Sequence, residues 1–197
     1  MSTFSLLYVC TGNICRSPMA ERITRQRISQ RLGEQSSTTV PDFVVGSAGT
    51  WGHVGSPMTS FAARALHEHG IDPDGFSARE LTADQVTAAD LVLTMTVEHR
   101  GHVVGLVPAA VRRTFTLVEF ARLVRQVDPR GREQPDIAER ARALVAEALA
   151  HRGLGPRGAP GADDIDDPYG APLQVYRERL RDIAEAVDQV VAALVLS

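Results

Sequence analysis

The sequence predicts an α/β fold, a small four-stranded parallel sheet with helices on both faces. Two observations carry this. Short apolar runs alternate along the chain with segments of helical periodicity, which is the pattern of strands joined by crossover helices. The first run also ends in a tight polar loop that leads directly into a helix start, and ligands of open parallel sheets sit at such carboxyl ends.

Phe4–Cys10 reads as a buried strand. Thr11–Arg16 forms a short loop, with Ser17 as N-cap and Pro18 at the first helical position. That helix runs to about Leu32, where Gly33 ends it. After the polar stretch 34–39, Phe43–Ala48 is a second strand and Gly49–Pro57 its loop. A helix from Thr59 to His69 carries Phe61, Ala62, Ala65 and Leu66 on one face, and Gly70 closes it. Thr82-Ala83-Asp84-Gln85 is a capping box opening a short helix. Asp90–Met95 gives the third strand, and a further helix starts at Thr96 and stops before Pro108. A brief fourth strand lies around Arg113–Phe115, followed by a second capping box at Thr116–Glu119. Pro135–His151 is an arginine- and alanine-rich helix, and Gly153–Ala162 a glycine- and proline-rich loop. The last helix spans Leu173–Leu196, with Tyr176, Leu180, Ile183, Val187, Val190 and Leu194 forming one apolar stripe.

The 197 residues, 44% of them hydrophobic, fit a single domain over 1–197, with about 124–163 as a helical and loop insertion. A net charge of −3 gives no electrostatic case for nucleic acid, and no apolar run reaches membrane-spanning length. The N-terminus lacks a signal-peptide pattern, and two cysteines five positions apart make no secreted disulfide framework, so a cytoplasmic location is expected. All 21 basic residues are arginine. The missing lysine excludes a Walker-type phosphate loop and Schiff-base chemistry.

Cys10-Thr11-Gly12-Asn13-Ile14-Cys15-Arg16-Ser17 is suited to holding a phosphate against a thiolate. A free cysteine, with a pKa of about 8.5, is mostly protonated at neutral pH, and a helix N-terminus and an arginine both favour the thiolate. Curling the loop aims several backbone N–H groups at one spot. Gly12 permits tight curvature, and Asn13 tolerates left-handed geometry. Arg16 grips two phosphate oxygens with a planar fork. A zinc site would need further ligands, and nothing in the sequence brings His99 or His102 to the cysteines. No metal and no cofactor is expected.

The stretch Val-Cys-Thr-Gly-Asn-Ile-Cys-Arg-Ser-Pro-Met-Ala-Glu (residues 9–21) contains a C-x5-R-S motif and resembles the low-molecular-weight protein tyrosine phosphatases of bacteria. The similarity continues through Gly46–Thr50, His69–Asp72, Ala78–Thr82, Asp90–Met95 and Asp167–Gly170. It implies a phosphate-binding loop after the first strand and hydrolysis of aryl phosphate monoesters through a cysteinyl-phosphate intermediate. Cys10 would be the nucleophile, Arg16 the clamp and Asp167 the proton donor. Thr11, Gly12, Asn13, Ile14, Cys15 and Ser17 would form the phosphate cradle, with Trp51 and Tyr169 at the rim.

Of the four aspartates Asp163, Asp164, Asp166 and Asp167, three read as a solvated acidic loop. Asp167 stands out because Pro168 rigidifies its turn and because it matches the family's Asp-Pro-Tyr. Clustering of the four carboxylates is expected to keep one of them protonated. Two departures from the family pattern bear on support of the loop. Phe76 stands where relatives commonly have histidine, and Thr96 where they have aspartate; Asn13, Ser17 and Ser47 remain to supply a supporting network.

The expected partner is a phosphotyrosine-containing protein, with no nucleic acid and no membrane. The alternatives share the scaffold. Thioredoxin-coupled arsenate reduction needs further cysteines than these two, whereas a version coupled to a small thiol does not. Protein-arginine phosphatases carry threonine where this chain has Ile14, whose bulk suits an aromatic ring better. A non-catalytic phosphate-binding module would need neither thiolate nor acid.

Overall fold

In a computed structural model, residues 3–32, 43–128, 136–154, 159 and 161–195 are described. Gly33, the 34–39 stretch, Pro135, Leu196 and much of the loop after Gly153 lie outside these residues.

The elements follow in the order β1 (Phe4–Cys10), α1 (Arg16–Leu32), β2 (Phe43–Gly49), α2 (Ser60–Glu68), α3 (Ala83–Ala88), β3 (Leu91–Thr94), α4 (Val97–Leu106), β4 (Thr114–Thr116), α5 (Leu117–Val124), α6 (Ile137–His151) and α7 (Leu173–Val195). Four parallel strands form one sheet in the order β2-β1-β3-β4. Being covered on both faces, the central strands are apolar throughout rather than alternating. Leu6, Tyr8, Leu91 and Leu93 point into the larger core, which α1, α2, α5, α6 and α7 complete. Leu7, Val9 and Val92 point the other way, onto Val86 of α3, Val103 of α4 and Ala110. The period-two geometry of the strand makes this division.

Two helix starts carry the predicted capping boxes, Thr82 with Gln85 and Thr116 with Glu119, each with both reciprocal hydrogen bonds. Thr59 and Thr96 cap α2 and α4, accepting from Ala62 and His99 backbone N–H groups. Gly70 closes α2 at a φ of 69°. All six stripe residues of α7 are buried.

Several details differ from expectation. α1 begins at Arg16, so Ser17 is inside the helix and caps nothing; its hydroxyl is drawn instead to buried partners described below. Pro18 stands third in the helix, which costs no hydrogen bond because the first four N–H groups have no intrahelical acceptor. A 3-10 turn at Pro108–Arg113, not foreseen, leads into β4. Phe61 leaves the buried face of α2 and meets Tyr176 edge-on, with ring centroids 5.6 Å apart. The 124–163 region contributes to the main core: α6 buries Ala138, Ala141, Leu144, Val145 and Ala148. Arg142 and Arg152 then tie α6 to Asp90 and Glu119 at 2.8 and 2.9 Å. Among the described residues no helix is long and apolar enough to cross a membrane.

Candidate active site

Cys10 ends β1, and the loop that follows is held from outside by the chain after β2. Thr50 N–H donates to Cys10 O (2.9 Å), Trp51 N–H to Thr11 O (3.0 Å), His53 N–H to Gly12 O (3.0 Å) and Thr59 N–H to Ile14 O (2.9 Å). In a trans peptide the N–H points opposite to the preceding carbonyl. With those carbonyls turned outward, the N–H groups of Thr11, Gly12, Asn13 and Cys15 face the other way, toward the cavity. The loop is thus a ring of donors around Cys10, next to the positive end of α1.

Close approach fixes two glycines here. A Cβ on Gly49 would lie 2.4 Å from Thr11 O and 3.0 Å from Asn13 N. On Gly12 it would meet the His53 ring at 2.9 Å, so Gly12 is required for contact with the second loop more than for curvature. Asn13 takes the left-handed conformation, with a φ of 55°. Its side chain explains why: Nδ2 donates to Ser17 Oγ and Ser47 Oγ, each at 2.9 Å, and Oδ1 accepts from Arg79 N–H at 2.8 Å. Ser47 Oγ donates onward to Glu21 Oε2 (2.6 Å), and the buried Glu21 carboxylate is met by Arg25 at 2.9 Å and Arg79 at 3.6 Å. The supporting network expected of Asn13, Ser17 and Ser47 is present. Phe76 takes no part in it and packs against the larger core.

The two thiols are differently placed. Cys10 Sγ is 3.0 Å from Ser17 Oγ. Cys15 Sγ turns away, toward Thr59 Oγ1 (3.4 Å) and Tyr176 Oη (3.8 Å), and burial pushes its pKa up. The side chain of Cys15 is therefore turned away from Cys10, and the residue lines the cavity wall.

Arg16 is 3% exposed. Its Nη1 donates to Ile165 O (3.0 Å), and its Nη2 to Thr11 Oγ1 (3.3 Å) and Asp167 Oδ2 (2.5 Å). Nε is buried without a partner. Asp167 is half-exposed and also accepts from Tyr169 N–H at 3.1 Å, which fixes the turn at Pro168. Of the other three aspartates Asp166 is exposed, as a solvated loop would have it, Asp163 and Asp164 are partly buried, and each has a partner. Asp163 pairs with Arg122 (3.1 Å), Asp166 with Arg179 (3.1 Å), and Asp164 accepts from Val97 N–H at the start of α4 (2.7 Å). Each carboxylate has its own partner.

One cavity brings together Cys10, Thr11, Gly12, Ile14, Cys15, Arg16, Trp51, Asp167 and Tyr169. Asn13 and Ser17 lie behind it, in the buried network. Trp51 and Tyr169 are 73% and 65% exposed and stand at the mouth.

Two histidines were not anticipated. His53 lines the cavity beside Gly12. His99 is buried, with Nε2 2.9 Å from Thr11 Oγ1 and Nδ1 2.8 Å from Thr96 Oγ1. Burial first, and Arg16 second, depress its pKa to about 4. The sequence did contain a signal: threonine at an N-cap places the residue three positions on against its own hydroxyl.

Residues 5–139 match the family model for low molecular weight phosphotyrosine protein phosphatase. The low molecular weight protein-tyrosine-phosphatase Etp of Escherichia coli (strain K12) is 35% identical over 130 residues, covering 66% of this chain and 80% of that protein. A protein-arginine-phosphatase of Geobacillus stearothermophilus is 28% identical over 191 residues, covering 97% of this chain and 96% of that protein. The solved low molecular weight protein tyrosine phosphatase from T. tengcongensis aligns with a TM-score of 0.68 at 30% identity, covering 96% of this chain and 98% of that one. A donor-ringed cysteine after the first strand of a four-stranded parallel sheet, joined to a sequence match over well over half of the chain, leads to one assignment: this chain belongs to the low molecular weight phosphotyrosine protein phosphatase family.

Proposed function

We propose that this chain is a protein tyrosine phosphatase that hydrolyses aryl phosphate monoesters through a cysteinyl-phosphate intermediate. The observation that carries the reading is the convergence of Cys10, the loop N–H groups, Arg16 and Asp167 on one cavity.

In the first step the Cys10 thiolate, with the Ser17 hydroxyl donating to it, attacks phosphorus in line with the leaving oxygen. The S–P bond forms as the P–O bond breaks, and Asp167 gives its proton to the departing phenolate oxygen. Loop N–H groups and the Arg16 fork hold the equatorial oxygens, and the unpartnered Arg16 Nε is a donor available to them. In the second step water attacks phosphorus, Asp167 takes its proton, the S–P bond breaks and phosphate leaves. A reducing compartment such as the cytoplasm keeps the nucleophile a thiol, and the cycle uses no cofactor.

Ile14, Trp51 and Tyr169 give the cavity apolar walls that receive a phenyl ring. A tyrosine side chain is long enough to carry its phosphate to Cys10, whereas phosphoserine is short. Phosphoarginine hydrolysis is the second reading, supported by the near full-length likeness to the Geobacillus protein-arginine-phosphatase. Ile14, where such enzymes carry threonine, weighs against it.

Turnover of phosphotyrosine and phosphoarginine peptides of one sequence decides between them. We expect kcat/KM at least about tenfold higher for phosphotyrosine, and a preference for phosphoarginine would overturn the substrate assignment. Replacing Asp167 by Ala tests the acid. Poor phenolate leaving groups are expected to slow by about 10²–10⁴-fold and activated ones far less, and a uniform loss would remove Asp167 from that role.

A further inference from the structure

Arg16 has three hydrogen-bonded anchors, and one of them does not survive the reaction. In the structure Asp167 Oδ2 sits 2.5 Å from Arg16 Nη2. A carboxylate so paired cannot donate a proton, and it occupies part of the fork that a phosphate needs. Substrate binding must therefore separate Asp167 from Arg16. What then remains on the guanidinium is Ile165 O on Nη1 and Thr11 Oγ1 on Nη2. A threonine hydroxyl at the start of a loop rotates freely unless something fixes it.

That something is present. Thr11 Oγ1 is 2.9 Å from His99 Nε2, His99 Nδ1 is 2.8 Å from Thr96 Oγ1, and Thr96 Oγ1 accepts from His99 N–H at 3.2 Å as the N-cap of α4. Both ring nitrogens are engaged, so the imidazole is fixed in its plane. Thr11 Oγ1 accepts from Arg16 and, as a hydroxyl with one proton and two lone pairs, can either donate to or accept from His99 Nε2; a neutral imidazole, with one N–H and one bare nitrogen, bonds Thr11 and Thr96 in either tautomer. A Thr96–His99–Thr11–Arg16 chain thus runs from the N-terminus of α4 to the clamp.

We infer that His99 is a positioning residue for Arg16, acting through the Thr11 hydroxyl to keep the guanidinium planted when Asp167 releases it. The role rests on the phosphatase reading of the site. Its chemistry suits a tether: the ring is neutral at working pH, so it orients the guanidinium without neutralising it, and the full Arg16 charge stays available to the phosphate dianion. A carboxylate in its place would compete with that dianion for the same cation.

The test is a double-mutant cycle of His99→Phe, Thr11→Val and the pair, read as kcat/KM on an aryl phosphate and as the affinity for inorganic phosphate measured by calorimetry. Each single substitution is expected to lower both by about tenfold, with the larger share of the activity loss in KM. Because His99 acts through Thr11, the double variant is expected to lose no more than about twofold beyond either single one. If His99→Phe does not fold, His99→Gln takes its place in the cycle, with a smaller loss than Thr11→Val because its amide still reaches toward Thr11. Single variants within twofold of the parent, or losses that multiply in the double variant, would overturn the tether. An unsubstituted protein inert toward every phosphate ester would instead overturn the phosphatase reading, while the phosphate affinities would still report on His99.

Discussion

Cys10 and Cys15 sit five positions apart on the same loop, yet their surroundings assign them opposite characters. Cys10 has the Ser17 hydroxyl at 3.0 Å, a ring of N–H groups and an arginine; Cys15 faces a threonine, a tyrosine and the core. Burial raises the Cys15 pKa, so at neutral pH it stays a thiol and is a poor nucleophile. Cys10→Ser is expected to reduce kcat on an activated aryl phosphate by at least about 1,000-fold. Cys15→Ser, which preserves size and hydrogen bonding toward Thr59, is expected to stay within about tenfold of the parent. Steady-state assays of the two purified variants check this, and equal losses would mean that the loop reads both sulfurs alike.

At the level of elements, the strand–loop–helix unit works because a second loop is pressed against the first. Gly49 marks the place: a methyl there would meet backbone atoms at 2.4 and 3.0 Å, which cannot swing aside. Gly49→Ala is expected to destabilise by about 1–3 kcal/mol in urea unfolding and to lower activity along with it. Gly101→Ala makes the opposite case. Gly101 lies inside α4 with open space around it, and alanine there is expected to stabilise by about 0.5–1 kcal/mol through helix propensity alone. The same contrast explains what the sequence made legible. Capping boxes at Thr82 and Thr116, the left-handed Asn13 and the stripe of α7 depend on neighbours within a few positions, and all are found where the pattern puts them. Ser17 suits a cap because cap preference is local, whereas its partners Cys10 and Asn13 are reached only once the loop has curled. His99 escaped because its meeting with Thr11 spans 88 positions and exists only because β3 lies beside β1, with Thr94 opposite Val9. The partners of Asp163 and Asp166 lie beyond local pattern for the same reason: Arg122 and Arg179 approach them from other helices.

For the whole molecule, His99 makes stability depend on pH. Its pKa in the folded chain is about 4, against an ordinary 6.5, chiefly because burial disfavours the charged ring; Arg16 and His102 also oppose its charge, and Asp167 and Asp164 favour it. The unfolded chain therefore binds the proton first as pH falls. Below pH 6.5 each unit of acidification favours the unfolded state, and the effect saturates once the folded histidine is also protonated near pH 4. At about 1.4 kcal/mol per unit, this amounts to a loss of about 3 kcal/mol between neutral pH and pH 4. Glu68, whose pKa is lowered to about 2 by Arg177 and Arg64, acts in a separate window: its contribution is present above 4.5 and lost only as pH falls toward 2. The two windows scarcely overlap, so the histidine can be read by itself. His99→Gln, neutral at every pH, is expected to flatten the decline in unfolding free energy between pH 6.5 and 4 relative to the parent. Urea unfolding of both proteins at pH 7, 5.5 and 4.5 measures that difference. Parallel declines would mean that His99 takes up its proton in the fold as readily as in the open chain, and that the neutral link between Thr96 and Thr11 is not the state of the ring at working pH.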